Sequence, residues 1–404
     1  MRCNNGYCAV GEYSNALILF TSKKGLLMKL TYLFLAALAL GTSAMYAADS
    51  TAAAPAPAPI TWSGFVDAYY SKNFNSPANS TNALRNFDIN ENQFAFSLAE
   101  LVIQKQASPV GFRMDLDFGP TNDIVQGVAP YGTTPYNTLS ILQQAYLTAV
   151  LPVGSGLTVD VGKFVTHMGY EVIESKDNWN YSRSFLFAYA IPYYHTGARV
   201  SYTFSSTFSA AVHFVNGWNS YIDNNRSTSL GLMLNYAVTP TTDIIFNGMD
   251  GFERPFDTRY GKRDVADFIV TQTVNDMLSV GLNADYGQES LGGNGPLEMW
   301  KGAAIYGKCT INPKSSVALR AEVYSDPHLY TLNGYTNPIP FDTKETLKEV
   351  TLTYEYHLFD PLITRAELRD DLSNNAGFFN TASASPSFSA TSQPTLLIGV
   401  VATF

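Results

Sequence analysis

The chain has 404 residues, of which 46% are hydrophobic, 13% aromatic and only 15% charged, against about 25% charged in soluble globular domains. Its 25 Phe, 25 Tyr and 4 Trp exclude a disordered chain, and a single long apolar run argues against a bundle of membrane helices. The formal charge of −9, from 25 Lys and Arg against 34 Asp and Glu, argues against nucleic acid as a partner.

Residues 1–27 precede Met28-Lys29, where a leader would ordinarily begin, and we read them as a spurious extension without a fold. They hold Cys3 and Cys8, which leaves Cys309 alone, read as a small structural residue, and no disulfide framework. Leu30 to Leu40 is apolar, preceded by Lys23, Lys24 and Lys29 and followed by the small residues Gly41 to Ala48. This is the pattern of a secretory signal peptide over residues 28–47, cleaved after Ala47 or Ala48, with Ala44 also acceptable. A membrane anchor would need about 20 apolar residues. Residues 48–59, with Thr51 to Pro59 rich in Pro and Ala, form an extended linker.

From Ile60 to Phe404 the chain breaks into segments of about ten residues that alternate apolar with small or polar side chains, the period of a strand. Val110 to Phe118 is the clearest, with Val110, Phe112, Met114, Leu116 and Phe118 on one face and Arg113, Asp115 and Asp117 on the other. Sixteen such segments are predicted, with 14 to 18 as the range; Val265 to Asn275 and Trp300 to Thr310 are ambiguous because either face could point out. Tight connections, such as Ser108-Pro109 and Asn312-Pro313, alternate with long polar ones, such as 74–91 and 325–345. Repetition, strand length and this alternation predict an all-β fold, a transmembrane antiparallel up-and-down β-barrel with both termini on the short-turn side. The last strand places Leu396, Ile398, Val400, Ala402 and Phe404 on one face, so Phe404 resembles the terminal assembly signal of outer-membrane barrels. The longest connection, Val165 to Tyr194, is aromatic and must pack somewhere. We read it as the third extracellular loop folded into the lumen; the alternative is an external lid. Its segment Leu186 to Ile191 is apolar enough for a strand, but one more strand would break the even count.

A more specific likeness lies between Gly162 and Asn219. Gly162-Lys-Phe164, His167-Met-Gly-Tyr-Glu171, Asn178-Trp-Asn-Tyr-Ser-Arg-Ser184, Ile191-Pro192, Tyr194-His-Thr-Gly197 and Asn216-Gly-Trp218, with Gly64-Phe-Val-Asp-Ala-Tyr-Tyr70 and Pro109 to Asp115 earlier in the chain, resemble the OmpL-like, second family of beta-barrel porins. The resemblance covers Ile60 to Phe404. It implies an outer-membrane channel of undefined substrate and supplies no catalytic residues.

No enzyme constellation stands against that reading. His167 and Glu171 are four apart with His195 and His213 nearby, but no pattern supplies the three or four ligands of a zinc site. Ser182 and Ser184 lack elbow glycines, Asp223 to Arg226 lacks the Gly and Glu of a calcium loop, and Gly292 to Gly295 lacks a following helix. No cofactor and no enzymatic activity are expected. Sixteen strands leave a water-filled channel, and its selectivity follows from inward residues. By alternation these are Asp67, Glu100, Arg113, Asp115, Asp117, Arg199, His213, Asn283, Asp285, Arg320, Glu322, Glu349, Glu355, Arg365, Glu367 and Arg369, acids in excess. Asp67 and Glu100 share their parity with nearby apolar residues. The expected function is passive diffusion of small hydrophilic solutes and ions across the bacterial outer membrane, mildly cation-preferring. Its partners are membrane lipid, the barrel-assembly machinery and the solutes themselves, with a homotrimer as a further assembly by analogy. A rival reading places function in the long loops, whose Asn, Ser, Thr and Tyr would bind or adhere to a ligand. N-terminal sequencing of mature protein from outer membranes is expected to begin between Met45 and Asp49; peptides from residues 1–27 would refute both the start and the leader.

Overall fold

The computed structural model describes residues 58–127, 138–254, 261–291, 296–332, 344–379 and 388–404. The expected extension and leader, and the linker as far as residue 57, lie outside these residues. Fifteen strands follow in order: β1 (Ile60–Asn73), β2 (Gln93–Lys105), β3 (Val110–Phe118), β4 (Leu142–Leu151), β5 (Leu157–Val165), β6 (Tyr194–Ser205), β7 (Phe208–Val215), β8 (Ser229–Thr239), β9 (Thr242–Phe252), β10 (Lys262–Thr273), β11 (Leu278–Ser290), β12 (Leu297–Asn312), β13 (Ser315–Asp326), β14 (Glu345–Phe359) and β15 (Leu362–Ser373). Two short strands, β16 (Phe378–Phe379) and β17 (Phe388–Ala390), pair with each other in the last long connection, and β18 (Ser392–Thr403) ends the chain. β1 to β15 and β18 form one closed antiparallel barrel of sixteen strands, each paired with its chain neighbours. Closure pairs β1 with β18, from Phe65 opposite Thr403 to Asn73 opposite Thr395. At the short-turn end Gly64 and Phe404 exchange both backbone hydrogen bonds, at 3.1 and 3.0 Å.

Burial runs opposite to that of a soluble sandwich. Along β14, Glu349, Thr351, Thr353 and Glu355 are buried while Val350, Leu352 and Tyr354 between them are exposed. Charge inside and aliphatic surface outside is what a barrel set in lipid requires. Exposed aromatics gather at both rims, with Trp62, Phe204, Tyr236, Phe359 and Phe404 at the short-turn end and Phe94, Phe96, Phe118 and Tyr286 at the other. These positions match the aromatic girdles of outer-membrane barrels.

The parity conflict around Asp67 and Glu100 has a local cause. The pairing of β1 with β2 shifts by one between Asp67 and Ala68, so that Asp67 faces Leu98 and Ala68 faces Phe96. Ser97 is the extra residue of a β-bulge, and such a residue exchanges the faces on either side of it. Beyond it Phe94 and Phe96 point out, while Leu98, Glu100 and Val102 point in.

The ambiguous segments became β10 and β12, and both are explained by what the barrel contains. Val265 and Ile269 on β10 and Trp300, Ala304 and Tyr306 on β12 face inward and are buried, because the interior holds an apolar core. Its wall side includes Phe65, Tyr69, Leu98, Trp300, Tyr306, Tyr324, Leu347 and Leu397, and its inner side comes from the connection between β5 and β6. Simple alternation assumes a polar lumen, and there it fails.

The faces are testable in a Cys309→Ser background. Leu319→Cys, on the outer face, is expected to resist a charged thiol reagent in intact membranes. Gln104→Cys, on an inward position bordering open space, is expected to react. The reverse pattern would mean a register slipped by one residue.

Candidate functional site

The connection Thr166 to Tyr193 lies inside the barrel. It carries one short 3-10 turn, Ser175–Asp177, and one π-helical turn, Leu186–Ala190, and is otherwise irregular. The apolar run that could have been a strand is this π-helical turn, with all five residues buried. Irregular backbone away from water must find hydrogen-bond partners, since each unpaired polar group costs on the order of 1–3 kcal/mol. Here the barrel wall supplies them.

Carboxylates of the wall receive N–H and O–H groups of the loop. Asp67 on β1 accepts from Ser175 Oγ and Tyr181 OH, each at 2.6 Å. Glu367 on β15 accepts from the N–H groups of Tyr181 at 2.6 Å and Ser182 at 3.0 Å. Glu322 on β13 accepts from those of Phe185 at 2.7 Å and Leu186 at 2.6 Å. Asp267 on β10 takes the N–H of Gly169 at 2.8 Å.

Arginines of the wall donate to loop carbonyls while a second carboxylate holds each in place. Arg320 donates to Ser182 O at 2.6 Å, to Glu171 of the loop at 2.6 Å and to Glu349 at 2.5 Å. Arg365 donates to Asn178 O at 2.8 Å and to Glu355 at 2.6 Å. Arg369 donates to Arg183 O at 2.6 Å and to Asp371 at 2.7 Å. Charge-assisted bonds of this kind are about twice as strong as neutral ones.

Apolar contacts complete the seat. Tyr181 stacks near Tyr69 (ring centroids 5.8 Å), Tyr170 lies on Tyr306 (4.2 Å), and Trp300 Nε1 donates to Ala190 O at 3.1 Å. Wall glycines leave the room: a Cβ on Gly399 would meet the Tyr181 ring, one on Gly281 would come within 2.8 Å of Tyr170, and one on Gly302 within 2.8 Å of Leu186. The first long connection closes over the top, with Phe87 against Phe187 and Tyr193 and Arg85 bonded to Asp371 at 2.7 Å.

The sixteen residues read as inward fall into three groups, and most are buried against the loop. Asp67, Arg320, Glu322, Glu349, Glu355, Arg365, Glu367 and Arg369 form the seat of the loop. Asn283 belongs with it, bonding Asp267 at 2.6 Å, and Asp285 stands opposite Asp267 across the β10–β11 pair. On β2 and β3 lie Glu100, Arg113, Asp115 and Asp117, with Arg113 on Asp115 at 2.9 Å. On β6 and β7, Arg199 pairs with Asp160 at 2.7 Å beside His213. His213 stacks on His167 (centroids 4.0 Å), and His195 lies 5.9 Å from His167. Burial, reinforced by His195, pushes the His167 imidazole down to about 3, so it is neutral at physiological pH. Among the described residues no group of three His, Cys, Asp or Glu is gathered to hold a metal ion.

Sequence reasoning missed Asp160, Asp267, Glu171 and Arg85. The first two were within reach of strict alternation; the last two lie in connections, where no period exists. Among the described residues nineteen acidic side chains are buried against six basic ones. The loop leans on β1 and on β9 to β15, and also meets His213 on β7 and Gly399 on β18. Two openings remain: a pocket of about 290 Å³ along β5 to β8, lined by Asp160, His167, Arg199, Ser201 and His213, and one of about 430 Å³ among β1 to β3, β15 and β18, lined by Glu100, Gln104, Arg113 and the loop's Lys176.

Arg320→Ala would leave Glu171 buried without its cation and Glu349 with only Arg369 at 3.7 Å, and is expected to lower unfolding free energy by about 3–5 kcal/mol in urea titrations of the protein in lipid vesicles. Lys308→Ala, removing a part-exposed partner 3.8 Å from Glu355, is expected to change it by less than about 1 kcal/mol. Equal effects would mean the loop is not held through Arg320.

Comparison with known proteins places this architecture. The model of the family described as "Putative beta-barrel porin-2, OmpL-like" matches residues 59–404. No curated protein sequence matches the chain. Among solved structures, an anion-selective porin from Comamonas acidovorans superposes with a TM-score of 0.58 at 10% identity, covering 86% of this chain and 100% of that one. The outer membrane channel DcaP of Acinetobacter baumannii gives 0.55 at 11% identity, covering 86% and 98%. In-vitro folded OmpT of Vibrio cholerae, in its trimer form, gives 0.54 at 12% identity, covering 86% and 100%. At these identities the likeness is one of fold.

Proposed function

This chain belongs to the OmpL-like beta-barrel porin family, and on that footing we propose that it is an outer-membrane porin through which small hydrophilic solutes and ions diffuse passively, with a mild preference for cations. The observation that carries the reading is a closed sixteen-stranded barrel with more buried acids than bases, narrowed by an inward loop. A barrel of that size leaves an aqueous passage. The openings that would belong to that passage are the two pockets, one along β5 to β8 and one among β1 to β3, β15 and β18. A narrow lumen with low-dielectric walls focuses the field of its charges and enriches counter-ions.

Fold and selectivity are separate matters. The Comamonas porin of the same fold is described as anion-selective, and the excess of buried acids is the reason to expect the opposite here. Delivery by the N-terminal leader, insertion by the barrel-assembly machinery reading Phe404, and assembly as a homotrimer like the trimer form of the Vibrio protein complete the proposal. No catalytic step belongs to it.

Reversal potentials in planar bilayers under a potassium chloride gradient test the preference. Cations are expected to be favoured at low salt and less so at high salt, because the Debye length falls from about 10 Å at 0.1 M to about 3 Å at 1 M. Excising Asn178 to Ala190 is expected to raise single-channel conductance and weaken the preference. An anion preference would refute the charge argument; unchanged conductance would show that the loop does not set the narrowest section.

A further inference from the structure

We propose that Glu100 and Asp117 form a binding station for the guanidinium or primary ammonium group of a small cationic solute; this rests on the porin reading and names a solute class for it. Glu100 and Asp117 stand directly opposite each other on β2 and β3, both inward, with 5% and 0% exposure. Neither Asp117 carboxylate oxygen has a hydrogen-bond partner, and Glu100 Oε2 has none either.

The acids that seat the loop differ from these. Asp67, Glu322 and Glu367 are each occupied by two loop donors. The cations near the station are committed elsewhere: Arg113 to Asp115 at 2.9 and 3.0 Å, Lys163 to Gln126 Oε1 at 2.6 Å and Leu142 O at 2.7 Å, and Lys176 to Asp177. Carboxylates removed from water without a donor are costly, and a cation bearing N–H groups offsets that cost.

Solute meets the station at Glu100, which lines the 430 Å³ pocket together with Val102, Gln104, Arg113 and Lys176, with the fully buried Asp117 opposite it on β3. The unpartnered carboxylate oxygens select the ligand, which must bring directed N–H donors. Guanidinium offers N–H donors in a planar fork and an alkyl ammonium offers three. Tetramethylammonium carries the same charge and no N–H.

The test uses the full-length protein in planar bilayers with potassium chloride, titrated with millimolar guanidinium chloride or tetramethylammonium chloride at fixed ionic strength. Guanidinium is expected to reduce potassium current saturably, and tetramethylammonium much more weakly. Asp117→Asn and Glu100→Gln are each expected to weaken the guanidinium effect about tenfold, whereas Asp160→Asn, at the other pocket, leaves it intact. Heat-modifiable gel mobility reports folding, and Glu100→Gln alone suffices if Asp117→Asn does not fold. Equal action of the two cations, or an effect unchanged in both variants, overturns the station, the outcome if the two carboxyls instead share a proton. A wild-type channel without potassium preference but with donor-dependent guanidinium block would sink the selectivity proposal and leave the station standing. A protein with no conductance sinks both.

Discussion

Backbone hydrogen bonding away from water is the constraint on which the rest of this molecule depends. A barrel satisfies its own strands completely, but an irregular segment placed inside it brings N–H and C=O groups with no ladder to join. The wall answers with charged side chains in two senses. Carboxylates of Asp67, Asp267, Glu322 and Glu367 receive donors, and Arg320, Arg365 and Arg369 cover carbonyls. Each arginine is braced by a further acid, Glu349, Glu355 or Asp371. The inward charges therefore do structural work, holding the backbone of the loop in place of water.

This division explains what the sequence disclosed. Sixteen strands were legible because lipid outside and charge inside impose a period of two over about ten residues, repeated too often for chance. The inward parity of Arg320, Glu322 and Glu349 was legible for the same reason. Their roles were not: alternation says that Glu322 points in, and nothing in it says that the N–H groups of Phe185 and Leu186 wait there. The two ambiguous strands mark where the lumen ceases to be polar. Trp300 and Tyr306 made both faces of β12 look outward because a barrel holding an aromatic loop has two apolar surfaces. Glu171 and Arg85 sit in connections and were beyond any periodic signal.

Glycine records the loop as clearly as charge does. At Gly281, Gly302 and Gly399 the wall is pared down where Tyr170, Leu186 and Tyr181 rest. Gly162 serves the loop's departure: with φ at 143° inside β5, and with Ala145 O and Tyr146 crowding any Cβ, it tolerates a backbone that other residues rarely adopt. In the sequence Gly162 stood out only through the Gly162-Lys-Phe164 likeness, and alternation gave no role to Gly281, Gly302 or Gly399.

Tyr181 has a consequence for how the cylinder is sealed. Its hydroxyl reaches Asp67 on the first strand, its N–H reaches Glu367 on β15, and its ring rests over Gly399 on the last strand. One residue from the middle of the chain thus stitches across the seam where the two ends of the sheet meet. Until that seam is joined, the anchors for Tyr181 stand on opposite edges of an open sheet, so the inner segment gains its full set of partners only when the last strand docks beside the first. The plug is a staple on the inside of the joint, and it ties the final act of barrel closure to the ordering of the interior.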